Sequence, residues 1–536
     1  MKKLITIMLM AGAVLPVSAQ QAKKAVKKPN IIIILADDMG YSDIGCFGST
    51  IQTPNINELA NTGLVMTQFY NASRCCPSRA SLLTGLYSHQ AGVGDMVNTR
   101  PQPAYEGYLN HNCVTIAEAL KAGGYNTYMA GKWHVGTAPE NWPVKRGFDH
   151  YFGLIDGASS YFTPTMPYRP NQKLTIALDD KPFTPGPGWY STNAYADYAV
   201  KYIKQNKGTG KPFFLYMAFT SPHWPLQALP EDIAKYKGKF MAGWDVLREE
   251  RLKKMKEMGV VSQDTKLSPR DSNVPEWNSL TDDQKKDFDD KMAVYSAMID
   301  RMDQNIGRIR QALKETGVDK NTLIMFLSDN GASSEYTTNP GFLPNIREAA
   351  KKPASDPASF TSYGFNGANV SNTPLRLFKH WEYEGGTATP FIANDPAIIK
   401  KHMVNTQNGH ITDLMATCLD VAGVPYPKTY NGNTITPTVG VSLLPLMQGK
   451  VWKGHNALFF EHEGNRAVRQ GDWKLVSQYP ENKWYLYNIK ADRSELNDLS
   501  GQYPDRVAAM DALYKSWAGM ADVIPFEKLG RARSAD

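Results

Sequence analysis

The sequence of 536 residues has few cysteines and no long internal run of apolar residues. Five cysteines are too few for the disulfide framework of a small secreted scaffold, and their odd number leaves at least one thiol unpaired. After the first 20 residues, no stretch offers the roughly 18 uninterrupted apolar residues that a transmembrane helix needs. These absences exclude a disulfide-stapled miniprotein and predict a chain without a membrane span.

The sequence also lacks a strong excess of either charge. It has 59 Lys and Arg residues and 52 Asp and Glu residues, a net charge of +7 with neutral histidine. Basic residues are interleaved with acidic ones, and no zinc-finger or RNA-recognition motif is present. A nucleic-acid partner is therefore not indicated. The balance fits a solvated mixed-charge surface, with a weak preference for anionic ligands as the alternative.

The amino terminus has the pattern of a secretory signal peptide. Two lysines precede an apolar run over 4–14, and a small-residue pattern ends at Ala19. We predict a signal peptide over 1–19 and a linker over 20–28. The mature protein is then expected to be periplasmic or secreted, as in a bacterium.

Four strongly apolar runs predict the fold class. Runs of this length and character are typical of strands buried on both faces of a mainly parallel sheet. Stretches with helical character lie between them, at 115–122, 194–205 and 291–315. We therefore predict an α/β fold in which helices sandwich a large mixed, mainly parallel sheet. The apolar runs are 31–36, 125–130, 213–220 and 323–327.

The remaining segments predict the domain organisation. The densely charged stretch 230–290 is expected to be an insertion on the surface. Short strand-like segments follow residue 450, with turn residues between them and a last helix over 504–517. We predict a catalytic domain over 29–449 and a small α+β domain with an antiparallel sheet over 450–536.

Polar residues of chemical interest follow all four apolar runs. Taken singly, each is a turn or cap residue, but ligands of open α/β sheets bind at the carboxyl ends of the strands. The repetition in four runs therefore favours one shared site. The residues are Asp37 and Asp38, Lys132 and His134, His223, and Asp329 and Asn330.

A fifth segment predicts a nucleophile. Cys75 stands just before Pro77 at the start of a predicted helix, and Arg79 lies one turn further on. The helix amides, the helix dipole and the Arg79 cation would all stabilise negative charge there. The pattern indicates an anion-binding site with a nucleophile. A half-buried cysteine before a proline-initiated helix is the alternative.

The carboxylates suggest a metal, and the lysine does not form a phosphate loop. Asp37, Asp38, Asp329 and Asn330 offer hard oxygen donors, which suit Ca²⁺ first and Mg²⁺ second. No cluster of Cys and His has the spacing of a zinc site. Lys132 lacks both the upstream glycine and the following Ser or Thr of a P-loop.

The sequence Cys-Cys-Pro-Ser-Arg over 75–79, with Leu-Thr-Gly over 83–85, resembles the signature of the type I sulfatases. These are formylglycine-dependent enzymes of the alkaline phosphatase superfamily, and the resemblance extends over about 29–517. It implies that Cys75 is oxidised to formylglycine by a formylglycine-generating enzyme or an anaerobic sulfatase-maturating enzyme. The hydrated aldehyde would then supply the nucleophilic oxygen.

The resemblance also implies the roles of the other residues. Lys132 would bind sulfate, His134 would take a proton from the second hydroxyl of the hydrate, and His223 with Lys379 would bind sulfate and protonate the departing alcohol. Arg79 would add a fixed cation. Lys379 is followed by Glu-Gly-Gly as in the family, whereas Thr-Ala-Thr-Pro over 387–390 departs from the usual Arg-Val-Pro. The implied calcium ligands are Asp37, Asp38, residue 75, Asp329 and Asn330.

The implied activity is hydrolysis of sulfate esters. We expect an exo-acting sulfatase for a carbohydrate sulfate of a host or algal glycan, with aryl sulfates as poor surrogates. A phosphonate or phosphate monoester hydrolase and a non-catalytic protein that binds sulfated glycans are the alternatives. Five tryptophans near the motifs could stack on sugar rings: Trp133, Trp142, Trp189, Trp224 and Trp381.

Overall fold

The computed structural model describes residues 28–529. The predicted signal peptide over 1–19 and most of the predicted linker lie outside these residues. No helix within the described range is both long enough and apolar enough to cross a membrane.

The main sheet has eleven strands in the described chain, in the order β10-β2-β9-β8-β1-β7-β3-β4-β5-β6, with β11 beside β2. The strands are β1 Asn30–Ala36, β2 Leu64–Tyr70, β3 Asn126–Gly131, β4 His150–Leu154, β5 Ile176–Leu178, β6 Lys181–Pro182, β7 Phe213–Ala218, β8 Thr322–Ser328, β9 Ala388–Asn394, β10 Met403–Asn405 and β11 Gly409–His410.

The centre of this sheet is parallel and its edges are mixed. Strand β1 pairs in parallel with β7 and β8, and β3 pairs in parallel with β7. Strand β9 runs antiparallel to β2 and β8. Every residue of β1 is buried, as its continuous apolar sequence predicts. The predicted fold class is confirmed, and the four predicted strands form the centre of the sheet.

Helices cover both faces of the sheet. They are α1 Pro54–Asn61, α2 Cys75–Thr84, α3 Ile116–Ala122, α4 Ser191–Asn206, α5 Pro230–Ile233, α6 Trp244–Glu257, α7 Asp282–Thr316, α8 Pro344–Ala349, α9 Gly364–Ser371, α10 Glu384–Thr387, α11 Asp413–Ala422, α12 Leu444–Met447 and α13 Pro504–Met520.

Helix α7 begins nine residues before the predicted start. Thr281 and Gln284 form a capping box, in which each side chain accepts a hydrogen bond from the backbone N–H of the other residue. Such a box satisfies amide groups that would otherwise lack partners at the helix start. The capping residues, rather than the apolar pattern, therefore determine where this helix begins.

The charged stretch 230–290 is more than a surface insertion. Trp244 and Met255 of α6 are fully buried and belong to the main apolar core. The Arg251 guanidinium is also buried and donates to a carboxylate oxygen of Asp43 at 2.7 Å. The prediction that this stretch lies only on the surface was wrong. The many charged residues of α6 obscured, in the sequence, the few apolar residues that bury the helix.

The carboxy-terminal part contains the predicted antiparallel sheet, in the order β14-β15-β16-β17. A two-stranded ladder precedes it, and α13 packs on it. The predicted boundary at residue 450 stays a prediction. The strands are β12 Thr429–Tyr430, β13 Asn433–Thr434, β14 Leu458–His462, β15 Asn465–Gln470, β16 Trp473–Ser477 and β17 Trp484–Asn488.

A buried ion cluster joins this sheet to the main body. The Lys474 ammonium on β16 lies 3.0 Å from a carboxylate oxygen of Glu384 and 3.2 Å from one of Glu495. All three side chains are inaccessible to solvent, and Arg493 also contacts Glu384. Because a buried charge is costly without its partner, the cluster fixes the small sheet against α10.

Replacing Lys474 by alanine should therefore destabilise the protein strongly. Glu384 and Glu495 would lose a buried counter-charge, and the free energy of unfolding should fall by about 3–5 kcal/mol in urea unfolding. Lys490→Ala is the matched control, because this ammonium is 78% exposed and lies 3.9 Å from Asp472. Equal losses in the two variants would show that the cluster does not hold the sheet in place.

Candidate active site

The ends of β1 and β8 bring four predicted residues together. The two strands are parallel neighbours, and Ala36 pairs with Ser328, so the residues that follow them meet at one edge of the sheet. Asp38 has a left-handed backbone (φ 63°), and its N–H donates to Oδ1 of Asp329 at 3.2 Å. Asn330 Nδ2 donates to Oδ1 of Asp38 at 2.6 Å.

Helix α2 supplies the predicted nucleophile and one cation. Cys75 is its first residue and is buried. The Arg79 guanidinium, one turn along, donates to Oδ2 of Asp329 at 2.8 Å and to the backbone oxygen of Lys132 at 3.0 Å. It also lies 3.5 Å from Oδ1 of Asp37. Arg79 therefore connects the nucleophile helix to the carboxylates at both strand ends.

Lys132 and His134 follow directly after the end of β3. The Lys132 ammonium donates to Oδ2 of Asp37 at 2.7 Å, and both side chains are fully buried. His134 has a left-handed backbone (φ 55°), and a nitrogen of its ring lies within 4.8 Å of the Cys75 sulfur. Its Nδ1 has no hydrogen-bond partner in the described structure. The imidazole therefore lies against residue 75, and its Nδ1 is free to form a hydrogen bond.

Two loops complete the site with His223 and Lys379. The Lys379 ammonium donates to Oδ2 of Asp38 at 2.9 Å, and its backbone N–H donates to the carbonyl oxygen of Ala332. His223 follows β7, and its Nε2 lies 3.4 Å from the same oxygen of Asp38. Its Nδ1 donates to the backbone oxygen of Trp224 at 2.7 Å. That hydrogen bond orients Nε2 towards the carboxylates.

The structure thus brings every predicted site residue into one buried cluster. Three carboxylates, those of Asp37, Asp38 and Asp329, face three cations from other segments of the chain. The catalytic roles of these residues stay predictions. The cations are Arg79, Lys132 and Lys379.

Burial and neighbouring charges shift the pKa values of these groups. Burial lowers the pKa of His134 and that of His223 to about 4, so both imidazoles are neutral at pH 7. A hydrogen bond with Cys76 and the charge of Lys132 outweigh burial and hold the pKa of Cys75 well below its usual value. Burial, and then the charge of Asp37, raises the pKa of Asp329 to about 7.

The donor set fits a hard divalent cation. Oδ1 of Asp37 and Oδ1 of Asn330 are buried oxygens without a hydrogen-bond partner in the described chain. Ligand atoms of Asp37, Asp38 and His223 lie within 4.8 Å of one another. Orphaned oxygens of this kind beside clustered carboxylates are suitable ligands for Ca²⁺ or Mg²⁺. With such a cation, the cluster would carry a net positive charge that suits an anionic substrate.

Sequence analysis did not predict two residues that lie at the site, Arg74 and Glu335. The Arg74 guanidinium donates to Oε1 of Glu335 at 3.0 Å, and Oε2 of Glu335 lies 3.6 Å from the Lys379 ammonium. Arg74 directly precedes Cys75, and Glu335 lies shortly after Asn330. Closeness to the motif residues in the sequence was the only signal that could have found them.

The tryptophans contribute little open surface. Trp133 is fully buried, and its indole donates to the backbone oxygen of Asn141. Trp142 and Trp224 are also buried, while Trp189 and Trp381 are half-buried. Stacking of Trp133, Trp142 or Trp224 on a sugar is therefore not supported. All five cysteines are free thiols.

Comparison with known proteins identifies two matching family models. Residues 29–424 match the model described as Sulfatase. Residues 376–515 match the model described as N-sulphoglucosamine sulphohydrolase, C-terminal. Together these matches extend over both the main sheet and the carboxy-terminal sheet.

Individual relatives are similar over most of their length. The arylsulfatase of Klebsiella aerogenes is 37% identical, over 82% of this chain and 97% of the relative. The N-acetylgalactosamine-6-sulfatase of Rattus norvegicus is 27% identical, over 90% of this chain and 77% of the relative. The crystal structure of Ps i-CgsB superposes with a TM-score of 0.68 at 26% identity, over 92% of this chain and 93% of that one.

Gly157 leaves the space that the His134 ring occupies. A Cβ atom at position 157 would lie 2.4 Å from Cε1 and Nε2 of His134. We expect Gly157→Ala to displace the ring and to lower the free energy of unfolding by about 1–3 kcal/mol, as overpacking does. Urea unfolding followed by circular dichroism measures this change.

Gly186→Ala is the matched control for this prediction. A Cβ atom at position 186 has no neighbour within 4 Å. Its free energy of unfolding should change by less than about 0.5 kcal/mol. If Gly157→Ala were as stable as Gly186→Ala, the position of the His134 ring would not require a glycine at 157.

Proposed function

This chain belongs to the sulfatase family, and on that premise we propose that it removes sulfate from a sulfated carbohydrate by means of a formylglycine at position 75 and a calcium ion. The observation that supports the proposal most strongly is the buried cluster, in which Cys75, His134, His223 and three cations lie around three carboxylates. Such a cluster offers a nucleophile, proton carriers and positive charge at one point.

Residue 75 requires modification before it acts in this way. We propose that a formylglycine-generating enzyme or an anaerobic sulfatase-maturating enzyme oxidises Cys75, and that Asp37, Asp38, Asp329 and Asn330 hold the calcium ion. Formylglycine would supply, as its hydrate, the attacking oxygen, and calcium would lower the pKa of that hydrate and polarise the sulfate.

Fixed cations bind the sulfate group. Lys132 and Lys379 hold their ammonium groups at Asp37 and Asp38, and Arg79 holds its guanidinium at Asp329. These positions are set before substrate arrives, because each cation is buried against a carboxylate. Preorganised positive charge of this kind stabilises the charge that develops on the departing oxygens.

The two histidines carry the protons. His134 lies against residue 75 and accepts the proton of the remaining hydroxyl group, which allows sulfate to leave. His223, with Nδ1 donating to a backbone oxygen, directs Nε2 into the site. Nε2 takes up a proton when the sulfate anion binds beside it and passes that proton, with the help of Lys379, to the departing alcohol. Each histidine therefore serves a different half of the reaction.

We propose a carbohydrate sulfate as substrate, cleaved in an exo manner, and an enzyme in the periplasm or outside the cell. The name of the rat relative supports a sugar substrate. The name of the Klebsiella relative supports additional activity on aryl sulfates. Release of sulfate from a panel of sulfated monosaccharides and from 4-nitrophenyl sulfate tests the activity. Binding without release, in protein that carries formylglycine, would contradict it.

Removal of the nucleophile should abolish turnover. Cys75→Ala should lose all sulfate release while its circular dichroism spectrum stays that of the wild type, because the side chain is small and its partner groups remain. Mass spectrometry of the peptide that contains residue 75 should show formylglycine in active wild-type protein and not in the variant.

Cys418→Ala is the matched control for loss of a buried thiol. Cys418 is buried in α11 and is not one of the site residues. We expect this variant to retain turnover. Near-normal turnover by Cys75→Ala would place the nucleophile elsewhere.

Removal of the metal should lower both activity and stability. A ligand that binds only the folded protein stabilises it by mass action, so chelation should lower the Tm as well as the rate of sulfate release. Readdition of Ca²⁺ should restore both, and Mg²⁺ should restore less. Metal analysis confirms whether the cation has been removed. If the Tm and the rate of sulfate release are unchanged after confirmed removal, the proposed role of the cation is contradicted.

A further inference from the structure

The proposed sulfate-binding cluster is closed to solvent, but its neighbours on one side are open. The side chains of Arg79, Lys132 and Asp37 are 0% exposed. Next to Lys379, the Glu335 side chain is 34% exposed and that of its partner Arg74 is 17% exposed. A substrate that places its sulfate inside the cluster directs its alcohol part outwards, and these polar side chains lie on that side.

Glu335 is held rigidly although a third of its side chain is open. Its Oε1 accepts a hydrogen bond from Arg74 at 3.0 Å, and its Oε2 accepts one from the indole of Trp224 at 2.8 Å. Trp224 in turn packs against Tyr168 and Phe342. The carboxylate is therefore fixed beside Lys379, with lone pairs left for a ligand.

A second carboxylate comes from the small carboxy-terminal sheet. Glu463 lies in the turn between β14 and β15, and its Oε2 lies 3.1 Å from Nδ1 of His380. The two side chains are 29% and 30% exposed. The backbone N–H of His380 donates to the carbonyl oxygen of Ser73, the residue before Arg74. Both carboxylates therefore lie near enough to Arg74 to interact with its charge.

His380, His462 and Glu463 have atoms close enough to hold a metal, but the hydrogen bonds favour a different use. Nδ2 of Asn465 lies 3.3 Å from Nε2 of His380 and also donates to the carbonyl oxygen of His462, while its Oδ1 accepts from the N–H of Tyr479. This arrangement makes Nε2 of His380 an acceptor. Its Nδ1 then carries the proton and donates to Glu463, so His380 itself has no free nitrogen for a metal, although both ring nitrogens of His462 lack a hydrogen-bond partner in the described residues.

We propose that Arg74, Glu335 and Glu463, with His380 holding Glu463 in position, form a subsite that binds the hydroxyl groups of the sulfated sugar ring and selects an electrically neutral ring. The proposal rests on the proposed function and names the class of sugar. We call these four residues the hydroxyl subsite.

The chemistry of the hydroxyl subsite suits sugar hydroxyls. Carboxylates accept hydrogen bonds from hydroxyl groups, and the Arg74 guanidinium donates to their oxygens. Burial would raise the pKa of Glu335, but the charges of Lys379 and Arg74 hold it well below its usual value, so this group is ionised.

The charge of the hydroxyl subsite disfavours an anionic ring. The subsite has two carboxylates and one guanidinium, because the His380 ring that accepts from Asn465 at Nε2 is neutral and the nearby Lys379 ammonium is paired with Asp38. A ring that carries a carboxylate or a second sulfate would meet net negative charge, which costs binding energy. A neutral hexose or deoxyhexose has no such penalty, and its hydroxyls supply the donors that the carboxylates need.

The test compares substrates in enzyme that carries formylglycine. The quantity measured is kcat/KM for the neutral sugar sulfate that the wild type hydrolyses fastest, divided by kcat/KM for 4-nitrophenyl sulfate. In Glu335→Ala and in Glu463→Ala this ratio should fall about 10- to 100-fold, the size of one lost charge-assisted hydrogen bond. In Glu335→Gln, kcat/KM for the neutral sugar sulfate should exceed kcat/KM for the hexuronate sulfated at the same position by a smaller factor than in the wild type.

Glu58→Ala is the matched control, because Glu58 is a carboxylate paired with Arg310 outside the site and is 59% exposed. Its ratio should equal that of the wild type. Equal losses on both substrates in Glu335→Ala and Glu463→Ala would overturn the proposal, since these residues would then only support Lys379 or the fold. A wild-type preference for the sulfated hexuronate would also overturn it.

The proposed function fails in a distinguishable way. Absence of sulfate release from every ester, in wild-type protein shown to carry formylglycine and calcium, would overturn the sulfatase activity and the hydroxyl subsite together. If only the hydroxyl subsite is wrong, the wild type still releases sulfate, and only the predicted ratios of kcat/KM between substrates are not observed.

Discussion

The pairing of buried carboxylates with buried cations is the constraint on which the rest of the site depends. Burial raises the pKa of Asp37 and that of Asp329, and the Lys132 and Arg79 cations that lie against these carboxylates oppose that effect. Each partner comes from a different segment, so the pairs determine how four loops meet. The same pairs hold three cations close together in fixed positions, an arrangement that suits an anionic ligand.

The small carboxy-terminal sheet is part of the site rather than an appendage. Lys474 holds Glu384 of α10, which lies a few residues after Lys379. The turn between β14 and β15 brings Glu463 to His380. Two contacts therefore tie the segment that contains Lys379 to a sheet formed much later in the chain. A family match that begins at residue 376 and ends at 515 is consistent with this linkage.

Much of the fold and the site could be predicted because the chemistry is local. Apolar runs predicted the central strands, and the strand ends predicted where Asp37 and Asn330 would meet. The start of α7 was missed because it depends on a capping box, and the burial of α6 was missed because charged residues dominate its sequence. Glu335 was missed because its role arises only from contacts with Arg74 and Trp224, which are distant along the chain.

The sequence by itself determined the type of sheet, the residues at its strand ends and the position of the proposed nucleophile, Cys75, since each depends on a short run of residues. Only the tertiary structure decided which cation pairs with which carboxylate and which polar groups stay open to solvent. The physical reason is that charge pairing and exposure depend on three-dimensional distance. Nothing in the sequence around Arg74 or Glu463 indicates which residue will be its partner in the folded protein.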